Sequence, residues 1–443
     1  MEINQQAEGA PRGPGSFCIP KAALDALLDN QATVYEICAY LVLARFTEES
    51  GQYSTASLHA VNRYTGANKV KDGPVDRAIE RLKTIRAKGK KLVSNGRSGK
   101  SHAMVEQVTD LGPILYSRDA WHTGTGEILP DGPTERMKVL HVLPDFGEPP
   151  ADRVWFGNNL VTGYATFEQP LKALKNAGDV AARLLLSMYA ANDMETWGGV
   201  RPVGAGHGPW HHYEPVAEDV RLYGARLIRA KDGGEVASID KRITGAGETQ
   251  TYFTALAALK SAGLVYQVVL VLNRNAEEGV FRSTEEKYSD IPEDAEPLYE
   301  LDTRSQHGYK PEGEMGIGWA TANTAGALNK SVAVAGGHFD GTYAAIVPTG
   351  YGAMIAGIYR LRFKVSNPKN AGVKGTWAGI HQRNREALEL VNSIRAVYKM
   401  QPAVPPNIPE STDSKLAAAN AKAAAESAKA TLAGLADKFR AGL

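Results

Sequence analysis

Apolar residues recur at three- and four-residue intervals over IPKAALDALLDN and again over TVYEICAYLVLARFTEES, a spacing that predicts two helices near the start of the chain. GQYS interrupts the pattern. STASLHAVNRYTG then predicts a short third helix, with Ser54 or Thr55 as its cap and Gly66 just past its end. After the ANKVKDG turn, PVDRAIERLKTIRAKG predicts a longer fourth helix, with Asp72 as cap and Pro74 in the first turn, where a missing N–H costs nothing. On a helical wheel Val75, Ala78, Ile79, Leu82 and the aliphatic stem of Arg86 share one side. Arg77, Glu80, Arg81 and Thr84 face the other. The period then changes to two: KKLVS and KSHAMVEQV predict strands joined at NGRSG, where Asn95-Gly96 favours a tight hairpin turn.

The same grammar returns further on. VAARLLLSMYAAND predicts a core helix, WGGVRP a short strand, and ALAALKSAGLVYQVVLV echoes AIERLKTIRAKGKKLV, with a helix ending near Gly263 and a strand from Leu264. The outward positions of this later helix, Gln250, Thr251, Thr254, Ala258 and Ser261, carry no cation. Lys241 and Arg242 before it and Arg274 in its hairpin turn leave only backbone contacts to a polyanion. Leu111 to Gln169 is rich in Gly, Pro and Asp and lacks sustained periodicity apart from MKVLHVL, which predicts long loops. IYRLRFKVS alternates as a strand does, and TWAGIHQRNREALELVNSIRAVYKM predicts a helix. PAVPPNIPE then stops any helix, and the 33 residues from Ser411 hold twelve alanines with Leu432, Leu435 and Phe439 as the one apolar stripe. Such a tail suits a protein partner or a partly frayed helix.

Charge sharpens the picture. The net charge of the chain is only +1, yet Arg63 to Lys100 holds twelve Lys and Arg against Asp72, Asp76 and Glu80. Glu277 to Asp302 runs the other way, with ten acids against Arg282 and Lys287, so one end of the molecule suits a polyanion. Two cysteines cannot build a disulfide framework, and with no charged-then-apolar leader a cytoplasmic chain is expected. The longest apolar run, GLVYQVVLVL, is too short to span a bilayer. GRSGKS has Ser94 where a phosphate-binding loop needs its first glycine, and HAMVEQV after it alternates like a strand, so no nucleotide is expected on Lys100. His207, His211 and His212 in GAGHGPWHHYE crowd together, but their glycines and proline predict a loop in which the rings and Trp210 pack locally, without a metal. Asp131, Asp145 and Glu148 have no spacing suited to acid–base work, and no hydrolase, zincin or dinucleotide motif is present, so neither catalysis nor a cofactor is implied.

Helix, helix, turn, helix and basic hairpin together resemble the winged helix-turn-helix family, on the residues STASLHAVNRYTG, VDRAIERLKTIRAKGKKLV and NGRSGKS. The resemblance implies that the fourth helix enters the major groove of double-stranded DNA while the hairpin lies on backbone or minor groove. Arg63, Lys69, Lys71, Arg77 and Arg81 would then meet DNA from the helices, and Lys90, Lys91, Arg97 and Lys100 from the hairpin. Cations there neutralise phosphates, and a bidentate Arg also reads guanine. The expected architecture is α+β: a disordered start over 1–15, a winged helix over 16–110, a loop-rich connector over 111–169 and a second winged helix over 170–290. A β-rich mixed unit over 291–401 and a Pro-rich linker with an Ala-rich helical tail over 402–443 complete it. The expected function is sequence-specific DNA binding that regulates transcription or replication, by a nucleoid-associated homodimer whose two recognition helices stand about 34 to 36 Å apart. The duplicated layout is also the one that plasmid replication initiators resemble. A third reading is a winged-helix module that has left DNA and grips an acidic partner, such as the Glu277 to Asp302 segment of another copy.

Overall fold

The computed structural model describes residues 15–47, 53–68, 72–94, 104–122, 128–129, 138–144, 146, 153–164, 167, 169–193, 197–202, 208–215, 220–222, 225–245, 247–274, 295–302, 324, 338–339, 342–348, 352–363 and 386–402. The chain begins with β1 (Ser16–Pro20), α1 (Lys21–Asp29), α2 (Val34–Arg45), β2 (Tyr53–Ser54), α3 (Leu58–Thr65), α4 (Pro74–Leu82), β3 (Arg86–Ser94) and β4 (Met104–Pro113). It continues through β5 (Tyr116–His122), β6 (Ile128–Leu129), β7 (Lys138–Val142), β8 (Arg153–Gly157), α5 (Asn159–Thr162), α6 (Pro170–Ala177) and α7 (Asp179–Ala190). Then come β9 (Asn192–Asp193), β10 (Gly199–Val200), β11 (Trp210–Pro215), β12 (Val220–Leu222), β13 (Ala225–Val236), α8 (Lys241–Thr244) and α9 (Thr249–Ser261). The last strands are β14 (Val265–Arg274), β15 (Glu296–Asp302), β16 (His338–Phe339), β17 (Thr342–Pro348) and β18 (Gly352–Leu361), followed by α10 over residues 386–397. The fold is α+β. No helix among the described residues is long and apolar enough to cross a membrane.

The chain divides into two compact units, one made of Met1–Ala191, Ile239–Val265 and Leu361–Lys369, the other of Asn192–Ser238, Tyr266–Arg360 and Asn370–Leu443. This interleaving differs from the consecutive boundaries expected at 110, 169 and 290. The expected disordered start lies outside the described residues except for its last position, Gly15, and the tail lies outside them beyond Pro402.

In the first unit the expected helices form, with corrected ends. Thr33 caps α2 in a reciprocal box, accepting from the Glu36 N–H while its own N–H donates to Glu36 Oε2 at 2.9 Å. Ser57, not Ser54 or Thr55, caps α3, and Gly66 closes that helix at φ 60°. Gly73 rather than Asp72 is the cap of α4; Asp72 sits one residue earlier at φ 55°, and the Gly73 N–H donates to Asp76. Helix α4 stops at Leu82, short of the expected Gly89. From Ile85 the burial alternates, with Ile85 and Ala87 inside and Arg86 and Lys88 outside, so the period-two signal takes over several residues earlier than the wheel implied.

Two stretches of the chain, within the first unit except for the closing strand of the second stretch, share one plan: strand, helix, helix, then further along two helices and a long strand. The first runs β1, α1, α2, α3, α4, β3; the second runs β8, α6, α7, α8, α9, β14. Their contacts are reciprocal. Strand β1 pairs antiparallel with β8, Cys18 opposite Trp155, and α2 packs on α7. Helix α1 of the first stretch touches α7 and α8 of the second, while α6 of the second touches α2 and α3 of the first. Such exchange of equivalent contacts is the rule of an isologous dimer, realised here inside one chain. Both central helices are apolar nearly all round and buried on almost every side, as elements enclosed on several faces must be.

MKVLHVL forms β7 as expected, but the loops expected over the rest of 111–169 also contain strands: β5 and β6 join β7 and the earlier β2 in a four-stranded sheet, and β8 pairs with β1. Short strands with few apolar positions give weak alternation, so composition misled here. In the second unit, β11, β13 and β14 share an eight-stranded sheet with β15, β17 and β18, which joins the stretches expected to be separate over 170–290 and 291–401. Strand β14 carries VYQVVLVL, with Val269 and Val271 in the core on one face and Val268, Leu270 and Leu272 in the core on the other. A strand covered on both sides needs a continuous apolar run. Helix α10 brings Ala387 and Leu388 to the first of these faces.

His141 on β7 is 3% exposed with its Nδ1 3.3 Å from the Ser117 hydroxyl, and burial pushes its pKa from 6.5 down to about 4. The unfolded chain therefore takes up this proton first, so the stabilising contribution is complete above about pH 6.5, erodes as pH falls, and is gone below about 4. Urea unfolding of wild type and His141→Gln across that window should show the variant losing roughly 2–3 kcal/mol less stability on acidification. Parallel pH profiles would remove the assignment.

Candidate nucleic-acid interface

The basic stretch folds into α3, α4 and the β3–β4 hairpin. The buried side of α4 is Val75, Ala78, Ile79 and Leu82, which packs on α2 and α3. That leaves Arg77, Glu80 and Arg81 outward. Arg77 is exposed, and its guanidinium makes no hydrogen bond or ion pair among the described residues. Arg63 lies in the last turn of α3, exposed, its guanidinium 5.9 Å from the Tyr64 ring centre.

Arg81 behaves differently from its neighbour. Its Nη1 donates to Glu36 Oε1 at 3.0 Å and its Nη2 to the Asn30 carbonyl at 3.0 Å. Glu36 is almost wholly buried, whereas the Arg81 side chain remains 46% exposed. The residue thus ties α4 to the C-terminal end of α1, where orphan carbonyls attract a cation. Both terminal nitrogens make hydrogen bonds within the fold, so Arg81, though half-exposed, carries a structural contact as well as its charge. Glu80 accepts from Lys83 at 2.6 Å, a surface pair one turn on.

The hairpin is antiparallel from Arg86 opposite Pro113 to Ser94 opposite Met104. Its register shifts between Ala87 and Lys88, so Leu111 is the extra residue of a bulge, and Gly112 beside it takes φ 104°. Asp110 at this bulge accepts from Arg86 Nε at 2.7 Å and from the Gly112 N–H at 2.9 Å. The hydrogen bond from Arg86, then that from Gly112, hold its carboxyl below the usual aspartate range. Arg86 is therefore an exposed, paired strand residue, and not the buried helical stem that the wheel suggested. Lys88, opposite Asp110, is exposed and was missed; the early alternation at 85–88 was the signal for it. Lys90 pairs with Val108 and Lys91 with Gln107 along the backbone, while Lys69, Lys71, Arg97 and Lys100, with the NGRSG tip, lie outside the described residues.

The later helix α9 does present Gln250, Thr254 and Ser261 outward, without a cation. Arg242 before it is not free for a phosphate: it pairs with Asp240 at 2.7 Å and Asp25 at 2.9 Å, and reaches Asp29 at 3.5 Å. The hydrogen bond it donates to the Asp240 carboxylate is the main cause that raises its pKa. Arg274 ends strand β14 rather than forming a turn.

The histidine stretch also departs from expectation. Trp210–Pro215 is strand β11, so His211 and His212 alternate to opposite faces and cannot share one ion; His207 lies outside the described residues. His211 Nε2 lies 2.7 Å from Asp232, His212 stands edge-on to Trp210, and desolvation lowers the pKa of His212. Among the described residues no group of three or more metal-ligating side chains converges.

No family model, curated protein or solved structure matches this chain.

The two arginines of α4 should separate in a stability measurement. Arg81→Ala strips a nearly buried carboxylate and a helix end of their partner, and should lower urea stability by about 1–2 kcal/mol after allowance for its half-exposure. Arg77→Ala should stay within about 0.5 kcal/mol of wild type. Equal losses for the two would contradict the division of roles.

Proposed function

We propose that this chain is a sequence-selective double-stranded DNA-binding protein that regulates transcription or replication and carries out no chemistry on its ligand. The observation that supports this most is the succession of an outward Arg77 on α4, with no partner among the described residues, and, directly after it, a long hairpin whose first strand carries Arg86, Lys88, Lys90 and Lys91. In a winged helix, α4 would present Arg77 to base edges while the hairpin follows the phosphates. Arg63 joins from α3, and Lys69, Lys71, Arg97 and Lys100 would add their charge from the two connecting segments. Arg81 supports the helix through Glu36. The working compartment of such a protein is the cytoplasm, on the nucleoid.

The reciprocal duplication favours one version of this reading, an initiator of plasmid or phage replication with tandem winged helices. One chain would then bring two related modules to DNA, the second with an α9 whose exposed Gln250, Thr254 and Ser261 are uncharged, suited to weak backbone contact or to a second copy of the chain. A homodimer would pair these surfaces across an inverted repeat. The rival is a protein-interaction module whose cations grip an acidic segment.

Fluorescence anisotropy with labelled duplex across a salt titration tests the proposal. Affinity should fall steeply, with a log–log slope of about −0.9 for each phosphate neutralised. Arg77→Ala should cost about 1–3 kcal/mol on the preferred sequence and relax discrimination at one base pair. An absence of duplex binding at low salt, with salt-sensitive self-association instead, would replace this reading by its rival.

A further inference from the structure

Reciprocal packing creates two equivalent junctions, and their electrostatics differ. At one, α3 of the first stretch meets α6 of the second; at the other, α8 of the second meets α1 of the first. Each is closed by a left-handed glycine leaning on the opposite stretch. Gly66, after α3, is so close to α6 that an added Cβ would lie 2.9 Å from Lys172 Cγ and Cδ. Gly245, after α8, stands in the same relation to Gln31, just beyond α1, with 3.1 Å to its side-chain oxygen. The two sites are counterparts in the fold.

The α1–α8 junction is charge-balanced: Lys21, Lys241 and Arg242 stand against Asp25, Asp29 and the cap Asp240. Arg242 there is held by all three acids. The α3–α6 junction contains Arg63, Lys172 and Lys175 and has no acid on either helix. Lys175 Nζ donates to the Gly66 carbonyl at 2.8 Å, which places its charge at the C-terminal end of α3. The Lys172 stem crosses Gly66, its side chain is exposed, and its ammonium has no partner among the described residues. Glycine at position 66 is what allows the lysine stem to lie against the end of α3.

We propose that the α3–α6 junction is a phosphate-backbone contact, with Lys172 from the second stretch completing the polyanion surface of the first. This rests on the DNA-binding reading and adds a residue that lies far from the basic segment in sequence. The partner chemistry is a run of evenly spaced, strongly hydrated monoanions, as the duplex backbone supplies, which exposed Lys and Arg contact without reading bases. The balanced α1–α8 junction has no such role. The duplicated body therefore binds DNA asymmetrically.

Salt-dependent duplex binding of the full chain tests the assignment, with Lys172→Ala, Lys172→Arg and Lys21→Ala compared with wild type and Arg77→Ala. Lys172→Ala should weaken binding on the order of five- to tenfold at about 0.1 M salt, equally for all sequences, and make the log–log slope shallower by about 0.9. Lys172→Arg should restore both, and Lys21→Ala at the balanced junction should change neither. Unaltered thermal melting of Lys172→Ala excludes misfolding as the cause; if that variant melts early, Lys172→Arg and Lys172→Gln at matched stability carry the same comparison. If Arg77→Ala weakens binding while neutralising Lys172 leaves affinity and slope intact, the junction assignment is overturned and the DNA reading stands. If wild type binds no duplex, both fall together.

Discussion

The packing of α2 against α7, bridged by the β1–β8 pair, is the constraint on which the first unit depends. Neither helix has a polar face with which to meet water, so each requires cover from both stretches at once. The polar groups at this junction are satisfied across it: Asp179 of α7 accepts from the Val34 N–H at the start of α2. Arg183 of α7, itself buried, donates to the carbonyls of Gln31 and Ala32 and to that of Ile243. Buried donors and acceptors left without such partners would each cost about 1–3 kcal/mol, so the two stretches are specified together.

From that constraint follows the aim of α4. The C-terminal end of α1 is held between two arginines, Arg81 from α4 and Arg183 from α7, which bond successive carbonyls at Asn30, Gln31 and Ala32. Arg81 reaches from the exposed side of α4 to Glu36 and fixes the register of the helix, while Arg77, one turn earlier on the same side, stays exposed. A cation given to structure thus orients a cation left to solvent. The same reciprocity yields two junctions of one design and unlike charge, which is why a duplicated body is proposed to meet DNA on one side.

Much of the first stretch was legible in its sequence. Helical spacing located α1, α2, α3 and the apolar side of α4, and the change to period two located the hairpin, because these signals depend on residues close along the chain. Their ends were less legible: Asp72 and Gly73 both suit a cap, and Asp76 decided between them by accepting the Gly73 N–H. The role of Arg81 was illegible, since Glu36 lies 45 positions away and nothing local marks them as partners. Lys172 was invisible for the same reason; only the fold brings α6 beside Gly66. Within 111–169 only β7 was legible, in MKVLHVL, and the other strands were hidden by poor alternation; β14 was plain as an apolar run but not as a central strand of a sheet drawn from distant segments.

Amide hydrogen exchange of the full chain, with and without saturating duplex, tests most directly whether one side of the duplicated body is the DNA side. The account predicts slowed exchange in α3, α4, the β3–β4 hairpin and α6, with α8 and α9 unchanged. Protection confined to α8 and α9, with α4 and the hairpin unaffected, would contradict it.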